Sequence, residues 1–159
     1  MSVELPEKMP LSARGLRLPR VLALGIGCER GCCAGEIAAL ADTTLAEAGF
    51  EIGSVAAVVS IELKRAEPGI LALAATLGAP VWFFTAARLL AETERLSERS
   101  AAVFRTTGCW GVVEGAALAA CGSDGFLLVP KRRSRRATCA VAQASAPIDV
   151  AALAARGAR

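Results

Sequence analysis

Residues 22–40 read LALGIGCERGCCAGEIAAL, and the fold turns on how this stretch divides. The segment 20–27, RVLALGIG, is continuously apolar after Arg20 and closes on Gly25 and Gly27. A strand buried on both faces of a parallel sheet has that pattern, because neither face needs polar alternation. From about Cys33 the spacing becomes helical: Ile37, Leu40, Ala41, Thr44 and Leu45 share one face, and Gly49 supplies the stop. Strand, glycine-bearing turn and helix together make the first unit of an α/β sheet.

The alternation continues along the chain. Residues 54–61 (SVAAVVSI) predict a second buried strand, and Pro68 is placed as the first-turn proline of a helix over 70–77 that Gly78 ends. Residues 80–84 (PVWFF) predict a third strand, with Thr85 as N-cap of a helix through Ala91. A further helical stretch is expected from Ser97 and Glu98 to about Thr106, and another over 112–121 (VVEGAALAAC), after the break at Gly108–Gly111. Residues 125–130 (GFLLVP) and 137–143 (ATCAVAQ) predict two strands joined as a hairpin by KRRSRR.

The expected fold class is therefore α/β: a single domain with a mostly parallel sheet, flanked by helices and closed by an antiparallel C-terminal hairpin. Its expected bounds are 20–145, between an N-terminal tail (1–19) and a C-terminal tail (146–159) holding at most one short helix. The loops after the first three strands, 27–33, 61–69 and 84–86, should gather on one rim, where sheets of this class bind ligands.

Composition narrows the function. The chain has 159 residues, enough for one core, and alanine makes up about a fifth of it, which favours helices packed closely on a sheet. Aromatics are 4% with no tyrosine, so the stacking platforms of single-strand nucleic-acid binders are missing. There is no histidine, which removes His-based acid–base catalysis, Ser–His and Cys–His pairs and His-containing zinc sites. The polar, proline-broken start has no secretory apolar region, and no apolar run is long enough to span a membrane. The expectation is a cytoplasmic protein whose six cysteines are reduced thiols.

The net charge of +3 conceals a cluster, with Lys131, Arg132, Arg133, Arg135 and Arg136 inside six positions. Arginine supplies 15 of the 18 basic residues, which suits fork-like recognition of carboxylate or phosphate. KRRSRR has the composition of a nucleic-acid patch, and equally of a hairpin tip that grips an acidic ligand or keeps a sheet edge soluble. The remainder of the chain is nearly charge-balanced and carries no recognition-helix signature, so neither nucleic acid nor membrane is expected as a partner.

Gly25, Gly27 and Gly31 form G-x-G-x-x-x-G, with Arg30 where a dinucleotide fingerprint would have its third glycine and no following Lys-Ser/Thr. A tight turn and an anion-binding loop both fit this spacing. Cys28, Cys32 and Cys33 form C-x3-C-C without a paired C-x2-C knuckle, so cysteine as a small buried hydrophobe is preferred and no metal or cofactor is expected. Cys28 stands apart, since a thiol near a helix N-terminus can have a lowered pKa. Glu62, Lys64 and Glu67 fall on the second rim loop, either as functional groups or as a solvated charge cluster. Glu114 is either a first-turn charge meeting its helix dipole or a site carboxylate.

Four blocks, GIGCERG…EI, SIELKRAEPGILALAATLGAPVWFF, TTGCWGVVEGAALAA and LLVPKRRSRRATCAVA, together resemble in order the CobE/CbiG C-terminal domain family of cobalamin biosynthesis, from about residue 20 to 143. The resemblance places the family's shared residues on Gly25, Gly27, Cys28, Arg30 and Gly31, then on Lys64, Glu67, Pro68 and Gly69. It continues on Gly108, Val112 and Glu114, and on Pro130 and Lys131. The chain departs from the family pattern at Cys32 and Cys33, where small or hydroxyl residues are usual, and at Trp110-Gly111, where a Pro-Ser pair often stands.

The short lead before the first strand makes the free-standing branch of the family the expectation, since the longer members carry further domains. The implied function is binding of a carboxylate-rich precorrin or corrin intermediate, as carrier or as partner of another cobalamin-pathway enzyme. Such a ligand calls for an apolar face, from Trp82 or Trp110, rimmed by cations such as Arg30, Lys64 and Lys131. The alternative implied by the longer members is a hydrolase that opens a precorrin ring-A lactone and releases acetaldehyde. Cys28 would then be the nucleophile or Glu67 the base, assisted by Lys64.

Overall fold

The computed structural model describes residues 20–157; the expected N-terminal tail lies outside them. Five strands form one sheet in the order β3-β2-β1-β5-β4. They are β1 (Leu22–Cys28), β2 (Val55–Ile61), β3 (Val81–Phe84), β4 (Phe126–Arg133) and β5 (Ala137–Gln143). Six helices accompany them: α1 (Ala34–Ala48), α2 (Pro68–Leu77), α3 (Ala86–Leu90), α4 (Ala101–Thr107), α5 (Val112–Cys121) and α6 (Val150–Gly157).

β1, β2 and β3 pair in parallel through helical crossovers, while β5 pairs antiparallel with both β1 and β4. The sheet is thus α/β and mixed, with the C-terminal hairpin joined directly to the central first strand. β1 and β2 are buried along almost their whole length, which is why both read as unbroken apolar runs.

Two hydrophobic layers cover the sheet. On one face, Leu22, Leu24 and Ile26 of β1 pack with Ile37 and Leu40 of α1 and Ile70 and Leu73 of α2. On the other, Ala23 faces α5, whose Ala116, Ala117, Ala119 and Ala120 have no exposed surface. These small side chains let α5 lie close to the strands. The approach is tightest at Gly25, where a Cβ would overlap the Val113 carbonyl.

The residues expected as a C-terminal tail carry the one short helix anticipated there and dock it. Ile148 and Leu153 enter the second core layer, and the Ile148 amide donates to the Arg20 carbonyl at 3.0 Å. The helix expected from Ser97 begins instead at Ala101, with the Ser100 hydroxyl capping it by accepting from the Val103 amide at 3.2 Å. Residues 97–100 are held out of the helix because the Glu114 carboxylate binds both the amide and the hydroxyl of Ser97. β4 runs three residues further than the apolar pattern suggested, so Lys131, Arg132 and Arg133 are strand residues. The turn is correspondingly tight, closed by the Ser134 amide on the Ala137 carbonyl at 2.9 Å.

Candidate functional site

The carboxyl ends of β1 and β2, the hairpin tip and the start of α5 meet at one end of the sheet around a cleft of about 330 Å³. Its floor is apolar, from Ile61, Leu63, Val112 and Val113, with Val103 and Thr107 of α4 on one side. Its rim is cationic: Lys64 stands on the β2 side, and Lys131, Arg133, Arg135 and Arg136 on the hairpin side. Gly27 and Cys28 bring the end of β1 to it. The rim therefore uses the first two of the three expected loops together with the hairpin, and α4 and α5 take the place of 84–86.

The first loop is shaped by packing and by one buried carboxylate. A Cβ at Gly27 would stand 2.7 Å from the Thr138 hydroxyl and 3.2 Å from a Val113 methyl, so the bare backbone here permits α5 and β5 to approach. Gly31 has φ +73°, the left-handed region that favours glycine, and its amide donates to Glu67 at 3.2 Å. A Cβ at Gly69 would come within 2.6 Å of Ile37, so α2 starts pressed against α1. The glycines are required by the turn and by helix packing, and Gly27 also lines the cleft.

Glu67 is buried next to Cys28 and does not line the cleft. The Cys28 thiol, which proximity to a helix start led one to expect lowered, is instead pushed up to about 11. Burial is the main cause and the Glu67 carboxylate adds to it, while Lys64 pulls the other way. At neutral pH Cys28 is therefore a protonated thiol. Burial pushes Cys121 and Cys139 up to about 12; of the C-x3-C-C cysteines only Cys32 is a buried small hydrophobe, whereas Cys28 is half-buried and Cys33 is exposed.

Glu114, in the first turn of α5, is 2% exposed and fully occupied. Its carboxylate accepts from the Ser97 amide at 2.9 Å, the Ser97 hydroxyl at 2.5 Å and the Lys131 amide at 2.8 Å. It fixes the backbone from which the Lys131 side chain projects and does not itself line the cleft. Gly108 ends α4 with φ +85° and is a cap, not a cleft residue. Arg30 is exposed and off the cleft, and its carbonyl accepts from Arg136 at 3.1 Å. Trp110 stacks on Phe104 with ring centroids 4.4 Å apart, next to the α4 residues of the wall, whereas Trp82 lies beside Gly157 of α6, away from it.

One site-shaping residue escaped the sequence reading. Glu36, in the first turn of α1, accepts from the Ser134 hydroxyl and, at 2.6 Å, from the Arg136 amide, and so anchors the hairpin tip. These bonds, the Ser134 hydroxyl first, hold its carboxyl below the usual range. An acid in a first helical turn is a visible signal, but nothing local announces partners about a hundred residues away. Among the described residues no group of three or more cysteine and acidic side chains is arranged to hold a metal ion. No described helix is long and apolar enough to cross a membrane.

Known proteins resemble this chain in sequence and in fold. Residues 22–142 match the family model described as cobalamin synthesis G C-terminus. The chain is 44% identical over 131 residues to protein CobE of Sinorhizobium sp, covering 82% of this chain and 85% of that protein. It is 40% identical over 124 residues to the cobalt-precorrin-5A hydrolase of Priestia megaterium, covering 78% of this chain but 32% of that enzyme, so it spans about a third of the enzyme's length. Among solved structures, that of CobE, a protein from the cobalamin (vitamin B12) biosynthetic pathway, matches with a TM-score of 0.73 at 41% identity, over 87% of this chain and 96% of that one. The cobalamin biosynthesis protein chiG of Agrobacterium tumefaciens str. C58 matches with a TM-score of 0.63 at 27% identity, over 79% of this chain and 99% of that one. The chain thus belongs to the cobalamin synthesis G C-terminal family and is a cobalamin-biosynthesis protein like CobE.

Proposed function

We propose that the cleft binds a carboxylate-bearing precorrin or corrin intermediate, and that the protein acts as a carrier or as the partner of another pathway enzyme. One observation carries this reading: an apolar floor of valine, leucine and isoleucine with lysine and arginine on two sides. A corrin ring is apolar across its faces and bears acetate and propionate arms at its edge, so floor and rim each have a counterpart. Charge-assisted hydrogen bonds of this kind contribute about 1.5–3 kcal/mol each before desolvation is subtracted, and a few suffice for micromolar binding. At about 330 Å³ the cleft is at the small end of ligand sites. It holds an edge of a macrocycle and leaves the remainder open to an acceptor.

Binding is favoured over hydrolysis by the state of Cys28, since a thiol held near 11 is a poor nucleophile at neutral pH. Glu67, the other candidate base, does not line the cleft and accepts from the Gly31 amide. The test is titration with cobyrinic acid in its dicyano form, followed by corrin absorbance and by tryptophan fluorescence. Saturable binding at one site is the expected result. Absence of saturable binding, with cobyrinic acid and with ring-contracted precorrins alike, overturns the reading.

A further inference from the structure

Two walls of the cleft are only loosely held by their own elements. α4 supplies Val103 and Thr107 to the lining, yet none of its seven residues is buried. It is an excursion closed at its base, where the Ser100 amide donates to the Trp110 carbonyl at 2.9 Å, and it has no core anchor of its own. On the hairpin wall, the register of β4 against β5 breaks between Val129 and Arg132, and Lys131 lies inside that break. Both loose points are tied to the same carboxylate. Glu114 accepts from the amide and hydroxyl of Ser97, three residues before the α4 cap, and from the Lys131 amide.

We infer that Glu114 is the positioning residue of the cleft: one buried carboxylate sets the spacing of the α4 wall and the Lys131 wall, and so the affinity for what lies between them. The inference rests on the binding reading above and adds to it a residue that does not line the cleft. Glu114 projects from a firm support, since α5 is buried from Val113 to Cys121. All three of its donors are neutral, so it fixes geometry without taking up the Lys131 charge. Among the described residues the Lys131 ammonium has no carboxylate within ion-pair distance. Bonds to a charged acceptor are short and strong, and moving either wall away would leave a buried charge short of a donor. Each wall is thereby held in register with the other.

The experiment measures dicyanocobyrinic acid binding to the full-length protein, with amide exchange in α4, well below the melting temperature of each variant. Glu114→Gln keeps the side chain's shape but turns one oxygen into a donor, which meets a donor from Ser97 or Lys131. It should bind about tenfold more weakly. Protection should also fall at the Phe104 and Gly108 amides, which bond within α4 and its caps. In a Lys131→Ala background, where one tie no longer positions a cation, the same substitution should cost only about threefold. Unchanged affinity in a folded Glu114→Gln protein that merely melts earlier makes the residue structural and overturns the inference. So does a loss that multiplies fully with that of Lys131→Ala. Should Glu114→Gln not fold, Ser97→Ala decides, since Ser97 is exposed and the change removes only the hydroxyl tie. Binding about threefold weaker there supports the inference, and unchanged binding overturns it. Failure of the unmodified protein to bind removes the binding reading itself and the inference with it.

Discussion

Two kinds of residue carry the first loop, and substitutions separate them. At Gly25 the obstacle to a side chain is backbone, the Val113 carbonyl, which cannot swing aside as a side chain would. Gly25→Ala should therefore cost at least about 2 kcal/mol in denaturant unfolding. Gly31→Ala has open space and only its positive φ against it, so about 1 kcal/mol is expected. A reversed order would mean that the glycines serve ligand approach and not helix packing. Cys28 gives a second test, in its pH profile of alkylation mapped to that residue. Its pKa is raised, so the thiolate appears only as pH climbs toward about 11, and reaction should stay slow through neutrality. Glu67→Gln removes the charge that adds to burial and should shift the rise downward, though burial keeps it above an ordinary thiol. An inflection near neutral pH in the unmodified protein would restore the nucleophile reading. At this scale the sequence marked residue types well and their roles poorly. Gly25, Glu67 and Glu114 all matter, yet each acts through a neighbour far along the chain, and no spacing rule encodes that.

The hairpin is the element on which the cleft depends, and one carboxylate sets its position. Glu36 binds the Ser134 hydroxyl and the Arg136 amide, and these bonds lower its pKa from 4.5. A group with a depressed folded pKa contributes stability that is complete above its unfolded value and is lost as pH falls through the folded one. Amide protection at Ser134 and Arg136 should therefore hold above about pH 4.5 and fall below it, and Glu36→Gln should flatten that dependence. Protection unchanged by acid in the parent protein would show that the turn alone holds the tip. The elements themselves were legible because the core asks for them: β1 and β2 are apolar throughout, and Pro68, Thr85 and Gly49 stand at helix ends as local chemistry prefers. α4 starts later than its own segment predicts because Ser97 answers to Glu114. β4 extends past its apolar run because an edge strand carries charged residues that have the composition of a loop.

Across the whole molecule, α5 links two ends that do different work. Its N-terminal turn forms the cleft floor, while its C-terminal end is clamped by a buried network. Glu92 pairs with Arg88 at 2.6 Å and Arg95 at 2.7 Å; Arg95 donates to the Gly122 and Gly125 carbonyls, and Arg156 of α6 to the Ala120 carbonyl. Arg88 also donates to the Arg156 carbonyl, so α3, α5 and α6 are joined through one acid. Removing one member of a buried ion network leaves charge without a partner, so Glu92→Ala should cost about 3–5 kcal/mol. Leu153, with no exposed surface, should cost about 2–5 kcal/mol as alanine. Neither residue touches the cleft. If the two ends are independent, each variant should melt earlier yet bind cobyrinic acid with unchanged affinity well below its own melting temperature, and its stability cost should add to that of a cleft substitution. Weakened binding in a fully folded Glu92→Ala protein would show instead that the clamp sets the tilt of α5, and that the cleft is held from the far end of the helix.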